Sequence, residues 1–444
     1  MLKTKIDEYL EDEIWKKISK RGLNQDEIEY LNHDYVLKNI SFKKYISFLS
    51  RNIIKKLIGK KKIDNLHIDQ ADIDMLFDRI RNNKTIALYG TYRDDESSND
   101  GYTNRIKDID SNLIDGHYRV YIEFEDVNDR YGITFLDDCH CNVVLNTYNK
   151  EHQDLLKRIL DEVGVLLIHG LHRVMIDRVN PEVVEYIEDK NLKIIFDAHG
   201  AVPEEIEMND NVDRVELANR MESYLIDNSD IVICISKAMK DYFVEKHGKI
   251  QDKIRIIPVK TPNHTEEAEE KAYDAKHPRA IYCGGVQKWQ NTDLMTEIVN
   301  KTSDRMKYVL CFAGDYSRIK ESIKSDEVEI GYRTSDEIKE EYRKANFGFA
   351  LRDDCPVNRV ASPTKITEYI LNGIVPVLKS DKIGDLKKYG LRYIDYKDFE
   401  MLKLPNIKEY KEMISNNSSI IEKIEKDRAR NLKSLKKELK ELAR

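Results

Sequence analysis

A chain of 444 residues exceeds what one ordinary core supports, and 41% hydrophobic residues suffice for two or three domains. Charged residues reach 35% while the net charge is only -7, so the two signs are interspersed; no general polyanion-binding field exists, and nucleic acid is excluded as the main partner. Six cysteines are spread thinly, with Cys234, Cys283 and Cys311 inside apolar runs, which reads as reduced core thiols in a cytosolic protein. Cys139-His140-Cys141 offers too few ligands, too close in sequence, for a zinc site. No apolar run approaches the ~20 residues that span a bilayer, and the acids of MLKTKIDEYLEDEIW stand where a signal peptide needs an apolar core.

Residues 1–82 are charged and helix-like and are expected to form an N-terminal helical region. Within them, Phe42 to Lys62 holds eight basic residues and no acid, and Phe42, Ile46, Leu49, Ile53 and Leu57 recur at helical spacing. Such a helix either lies on an anionic membrane surface or packs its apolar stripe on the next domain with its lysines solvated.

From Thr85 the texture changes to strands alternating with helices. Expected strands are Thr85–Gly90, Tyr118–Phe124, Asn142–Asn146, Val165–His169, Lys193–Asp197 and Ile231–Ile235. Expected helices open at Gly101 and end near Asp115, then cover Glu151–Val163, Pro181–Lys190 and Val212–Ile226, with another from Ser236. This spacing implies parallel pairing with right-handed crossovers, an α/β Rossmann-like domain over 83–262. Prolines at 258 and 262 and an acidic stretch, Glu266 to Glu270, read as a linker.

The pattern restarts over 263–400: strands Ala280–Tyr282, Tyr308–Phe312, Val328–Ile330 and Phe347–Leu351, with helices Asp293–Thr302 and Ser335–Ala345. The stretch Phe349 to Leu378 then runs from strand through a charged loop into a helix and back to the strand Ile374–Leu378. Residues 401–444 are expected to be helical and able to brace the first domain. Two facing α/β domains place ligand where the carboxyl ends of their strands meet, so residues just after strands are the candidates.

Ser362, Pro363 and Thr364 lead into a helix start, where unpaired N–H groups and the dipole favour an anion. Lys365 adds a point charge. Glu368, one turn on, is placed to accept hydrogen bonds from two vicinal hydroxyls, as on a ribose. Gly284 and Gly285 follow a strand and permit close backbone approach, with Lys288 able to reach an anion and Trp289 read as domain packing. Arg352 or Arg359 can clamp phosphate bidentately, while Asp353 and Asp354 read as partners of those arginines rather than metal ligands. His199 ends the run FDAH, where an imidazole either satisfies a strand-end carbonyl or projects into the cleft for a sugar hydroxyl or proton transfer. Neither an NAD fingerprint nor a P-loop is present.

The order FDAHG, DIVICISKAMKDYF, CGGVQKWQN, CFAGD, SDEIKEEYRKANFGFAL and VASPTKITEYILNGIVPV resembles the group 1 (family 4-like) retaining glycosyltransferases of GT-B fold, closest to bacterial members that assemble surface polysaccharides. The resemblance covers about residues 85–385. It implies that Glu368 binds the nucleotide ribose, that Pro363, Thr364 and Lys365 face the diphosphate, and that Lys288 contacts phosphate. By the same resemblance His199 lies near the reacting sugar, and the loop reaching Gly101, Tyr102 and Arg105 lies on the acceptor side. Base recognition falls near Gly331, Tyr332 and Arg333. The family's usual arginine beside the second-domain glycine is absent, with Arg352 or Arg359 as substitutes. Its Glu-x7-Glu pattern requires an acid at 360, where this chain has Val360, so the group holding the donor-sugar hydroxyls is either missing or moved to Asp353 or Asp354.

The resemblance further implies transfer of a sugar from a nucleoside diphosphate sugar, UDP-sugars favoured, to a glycan, lipid-linked or protein acceptor, with no cofactor and no metal. A cytoplasmic enzyme, peripheral at the inner face of the plasma membrane, is the implied setting. The rivals are a sugar-nucleotide epimerase of the same fold and a non-catalytic GT-B partner subunit.

Overall fold

The computed structural model describes residues 67–90, 92, 101–124, 131–146, 149–171, 187, 190, 192–209, 212–262, 273, 277–362 and 364–442. The basic segment 42–62, most of the expected helix 181–190, the acidic linker and Pro363 lie outside the described residues. No helix among the described residues is long and apolar enough to cross a membrane.

Two sheets organise these residues. The first contains β1 (Thr85–Tyr89), β2 (Tyr118–Phe124), β3 (Gly132–Phe135), β4 (His140–Leu145), β5 (Val165–His169), β6 (Lys193–Asp197), β7 (Ile231–Cys234) and β8 (Ile254–Ile256), in the order β3-β4-β2-β1-β5-β6-β7-β8. All pairings are parallel except β3 with β4. Continuous runs such as VLLIH are buried at every position, because helices cover both faces of a parallel sheet. The second sheet contains β9 (Arg279–Gly285), β10 (Lys307–Ala313), β11 (Glu329–Gly331), β12 (Phe347–Ala350), β13 (Val375–Leu378) and β14 (Ile394–Asp395), all parallel, in the order β11-β10-β9-β12-β13-β14. Each sheet reverses its winding direction once, between β1 and β5 and between β9 and β12. Those reversals open crevices at the carboxyl ends of the strands.

Three elements of the first unit fall differently from the sequence reading. The helix Gln70–Asn82, expected in a separate N-terminal region, buries Leu76, Phe77 and Ile80 in the first sheet's core. The edge strands β3 and β8 were not expected; both are short, and β3 is only partly buried, so neither carries a long apolar run.

The units are tied together twice. The helix Pro356–Val360 leaves the second sheet and sets Val360, fully buried, into the core of the first. There Ser236 Oγ–H donates to the Val360 carbonyl at 3.0 Å. Asp385 accepts from Lys237 N at 2.6 Å and Ala238 N at 3.0 Å, capping a helix of the first unit with a carboxylate of the second.

The helix Ile407–Leu442, about 54 Å long at 1.5 Å per residue, makes the other tie. It starts on the second unit, where Tyr410 stacks on Tyr273 with centroids 4.2 Å apart. It ends on the first unit, whose core takes in Leu432, Leu435 and Leu439. Glu425 accepts from Thr261 N at 3.0 Å, and Arg255 Nε–H donates to Glu438 Oε2 at 2.7 Å.

Candidate active site

Between the sheets lies a cleft of about 1830 Å³, lined from both sides. Its first-unit wall is built at the ends of β5 and β6, where two apolar runs each finish on a polar residue, His169 and Asp197. Asp197 is fully buried and is gripped by Arg105, whose Nη2 donates to Oδ1 at 2.8 Å and Nε to Oδ2 at 3.1 Å. Asp197 Oδ2 also accepts from His199 Nε2–H at 3.0 Å and from His169 Nδ1–H at 3.2 Å. A carboxylate only accepts, so these contacts fix both imidazole tautomers and leave Nδ1 as the other ring nitrogen of His199. Burial alone would raise the Asp197 carboxyl; Arg105 and the two imidazoles together hold it well below the usual carboxylate range. Burial pulls the His169 imidazole down, so it stays neutral at pH 7.

Gly170, at φ +68°, turns the chain beneath this group. A side chain there would meet Tyr102 at 3.3 Å and His199 Nδ1 at 3.5 Å. Tyr102 O–H donates to the His169 carbonyl at 3.2 Å, and its ring lies 5.3 Å from that of His199. Glu205 also faces the cleft, in space that the absent side chain of Gly200 leaves open.

The second-unit wall is cationic. The helix Thr364–Leu371 packs on β12 because Gly348 leaves room for the Tyr369 ring, which would come within 2.5 Å of a Cβ there. The same helix carries Lys365 into the interior behind β9. Its Nζ sits 3.8 Å from the Tyr282 ring centroid and donates to Gln290 Oε1 at 3.2 Å. A Cβ on Gly284 would lie 2.4 Å from that nitrogen, so Gly284 clears the path of the lysine. Burial and the neighbouring Arg352 lower Lys365 to about 7. Burial likewise pulls the Arg352 guanidinium down. Neither cation forms an ion pair with a described residue. Glu368 is oriented by Tyr342, whose O–H donates to Oε2 at 3.0 Å, and burial raises its carboxyl.

The structure thus brings Gly101, Tyr102, Arg105, His199, Gly284, Tyr332, Arg352, Thr364 and Glu368 to one cleft, with Lys365 directly behind Gly284. Four expectations change. Arg105 reaches the cleft lining but is 3% exposed, with Nε and Nη2 committed to Asp197. Arg359 is half exposed and pairs with Asp354 outside the cleft. Lys288 is exposed and does not line the cleft, nor does Gly285; Trp289, between the lysine and buried Gln290, does. Asp353 pairs with Lys379, and Asp354 with Arg359 and Lys382, so neither replaces the acid absent at 360. Val360 itself is a core residue of the opposite unit. His169, Asp197, Gly170 and Tyr342 escaped the sequence reading; a polar residue closing an apolar strand was the available signal for the first two.

Among the described residues, His169, Asp197 and His199 are the one group whose ligating atoms converge. They do not suit a cation: both imidazoles point at the same Asp197 oxygen, and the Arg105 guanidinium already holds that carboxylate. Cys139 is exposed while Cys141 is buried, and His140 between them is bonded to Asp110 and Asp137.

No family model matches the chain, and no curated protein matches it in sequence. Solved structures do match in three dimensions. HepE from Anabaena, crystallised with UDP and glucose, aligns over 79% of this chain and all of its own, with a TM-score of 0.52 and 11% identity. The chain has the GT-B fold. The apo lipopolysaccharide outer core galactosyltransferase WaaB aligns over 79% of this chain and 98% of its own, TM-score 0.54, 12% identity. A UDP-forming α,α-trehalose-phosphate synthase from Burkholderia vietnamiensis gives 79%, 97%, 0.51 and 10% by the same measures.

Proposed function

We propose that the protein is a retaining glycosyltransferase that moves a sugar from a nucleoside diphosphate sugar, a UDP-sugar by preference, to an acceptor hydroxyl in polysaccharide, glycolipid or glycoprotein assembly. The observation that carries this reading is the pair Lys365 and Arg352, two cations that act on each other and form no ion pair with a described residue: Arg352 lines the same cleft as His199, and Lys365 lies buried behind Gly284. Desolvated like charges are costly alone and favourable around an anion. A diphosphate in the cleft beside Gly284 restores the charge of Lys365, meets Arg352, and receives N–H groups from the start of Thr364–Leu371.

As the glycosidic bond to the diphosphate breaks, negative charge grows on the departing phosphate oxygens, and these preset cations stabilise it. Glu368 holds the ribose hydroxyls. His199, its Nε2–H held by Asp197, offers Nδ1 as an acceptor to a hydroxyl of the reacting sugar. The two cations supply the charge that a metal supplies elsewhere, so turnover proceeds in chelator. HepE binds UDP and UDP-glucose, which supports the choice of base. The setting is the cytoplasm, with the basic segment 42–62 holding the enzyme at an anionic membrane.

Screening nucleotide sugars for protection against thermal unfolding identifies the donor, because a ligand at 100-fold its Kd adds about 2.7 kcal/mol. Absence of protection by any of them, or unchanged donor turnover in Glu368→Ala, refutes the reading. Val360 leaves the donor sugar without the family acid and favours one rival, a non-catalytic GT-B subunit. Transfer or donor hydrolysis by the purified chain removes that rival, and isomerised donor as the sole product would identify an epimerase.

A further inference from the structure

Arg428 lies on the C-terminal helix and is 6% exposed, which is deep for a guanidinium that does not line the cleft. Its Nη2 donates to Asp108 Oδ1. The other oxygen of Asp108 faces Arg105 Nη1 at 3.6 Å, and Arg105 forks onto Asp197, which orients His199. Charges therefore alternate along a buried line: Arg428, Asp108, Arg105, Asp197. The line is not saturated. Arg428 Nε, Asp108 Oδ2 and Arg105 Nη1 are all buried without a hydrogen-bond partner, and the last two face each other just beyond bonding distance. A shift of well under 1 Å would close that gap, at the expense of the fork on Asp197.

We propose that Arg428 is a positioning residue for His199, acting through Asp108, Arg105 and Asp197. By occupying one oxygen of Asp108 it keeps Arg105 on Asp197. Without it, Asp108 becomes a buried charge short of a partner and draws Arg105 away. Asp197 is then less neutralised, and the imidazole it holds moves and gains basicity. Asn112 Nδ2 also donates to Asp108 Oδ1 at 3.0 Å and Lys260 adds a more distant positive charge, but neither makes the ion pair that Arg428 makes. Among the described residues, the groups in direct contact with His199 are Asp197, His169 and Tyr102, so the charge of Asp197 is the one that Arg428 modulates there.

This coupling rests on the role given to His199 above, and the test separates the two. In ligand-free protein, NMR titration of the His199 imidazole needs no turnover: Arg428→Met is expected to raise its midpoint by several tenths of a pH unit. In donor assays Arg428→Met lowers kcat about tenfold with donor KM unchanged, and costs nothing further in a His199→Ala background, where a merely structural residue would cost the same factor again. Adding Asp108→Asn to Arg428→Met removes both charges, returns Arg105 to Asp197, and restores the titration and the turnover. An unshifted titration, or a double variant no better than Arg428→Met, overturns the proposal. A shifted and rescued titration in a protein without transferase activity upholds the coupling and refutes only the assigned reaction. If Arg428→Met does not fold, Arg428→Lys is expected to keep the wild-type midpoint and Arg428→Gln to raise it; equal midpoints overturn the proposal.

Discussion

The two walls of the cleft handle buried charge in opposite ways. On the first-unit wall the buried charges pair in opposites: Arg105 grips Asp197, and Arg428 grips Asp108. On the second-unit wall Lys365 and Arg352 act on each other with no ion-paired carboxylate among the described residues, and the lysine falls to about 7. A network of paired charges is balanced in charge before ligand arrives, even with a few buried atoms unbonded, and serves geometry. An unpaired one is incomplete until an anion arrives, and serves binding.

The contrast between the walls is most exposed to test at Asp197. Asp197→Asn leaves the buried Arg105 guanidinium without its hydrogen-bonded counter-charge, with only Asp108 at 3.6 Å, and is expected to cost about 3–5 kcal/mol in chemical denaturation. A loss below about 1 kcal/mol would mean that the wall is not held by pairing. Lys365→Ala should do the reverse, with stability little changed or improved and kcat/KM for donor down about 10²-fold.

The same lysine predicts a pH effect. Its folded value is depressed from 10.5 to about 7, so between those values the unfolded chain binds the extra proton and ligand-free stability rises with pH. Diphosphate binding favours the protonated lysine, so binding takes up a proton near pH 8 and affinity weakens by up to about tenfold per pH unit above pH 7. Calorimetry in two buffers of different ionisation enthalpy measures this; no proton uptake would place the anion elsewhere.

Smaller in effect, Gly284→Ala puts a methyl in the way of the Lys365 Nζ, and donor affinity should fall about tenfold with an unchanged Tm. Smallest of all is Arg359→Ala. Its ion pair is exposed, worth at most about 1 kcal/mol, and donor affinity should stay within about twofold of wild type.

Sequence conveyed the sheets better than the site. Runs such as KIIFD, VLLIH and YVLCFA are apolar because both faces of their sheets are covered, and that pattern is local. Lys365 and Glu368 were visible because a helix start fixes where its first side chains go. Lys288 and Arg359 were misplaced because they sit on a 3-10 turn and a five-residue helix, whose direction depends on what they pack against. Val360 looked like a missing ligand; it is a core residue of the other unit, a fact set by contacts more than a hundred positions away. The pairing of Arg105 with Asp197, across 92 residues, has no local signature.

The C-terminal helix also sets an order in time. The first unit leaves the ribosome early, yet three leucines of its core and the counter-charge of its Asp108 belong to residues 428–439. Through most of synthesis that unit keeps an open apolar groove and an under-compensated buried acid, and it closes only after the second unit has been made. A nascent chain stalled before residue 428 is therefore expected to be cut by protease within the first unit, and one extended past residue 442 to resist; equal resistance would show that the first unit closes without the helix.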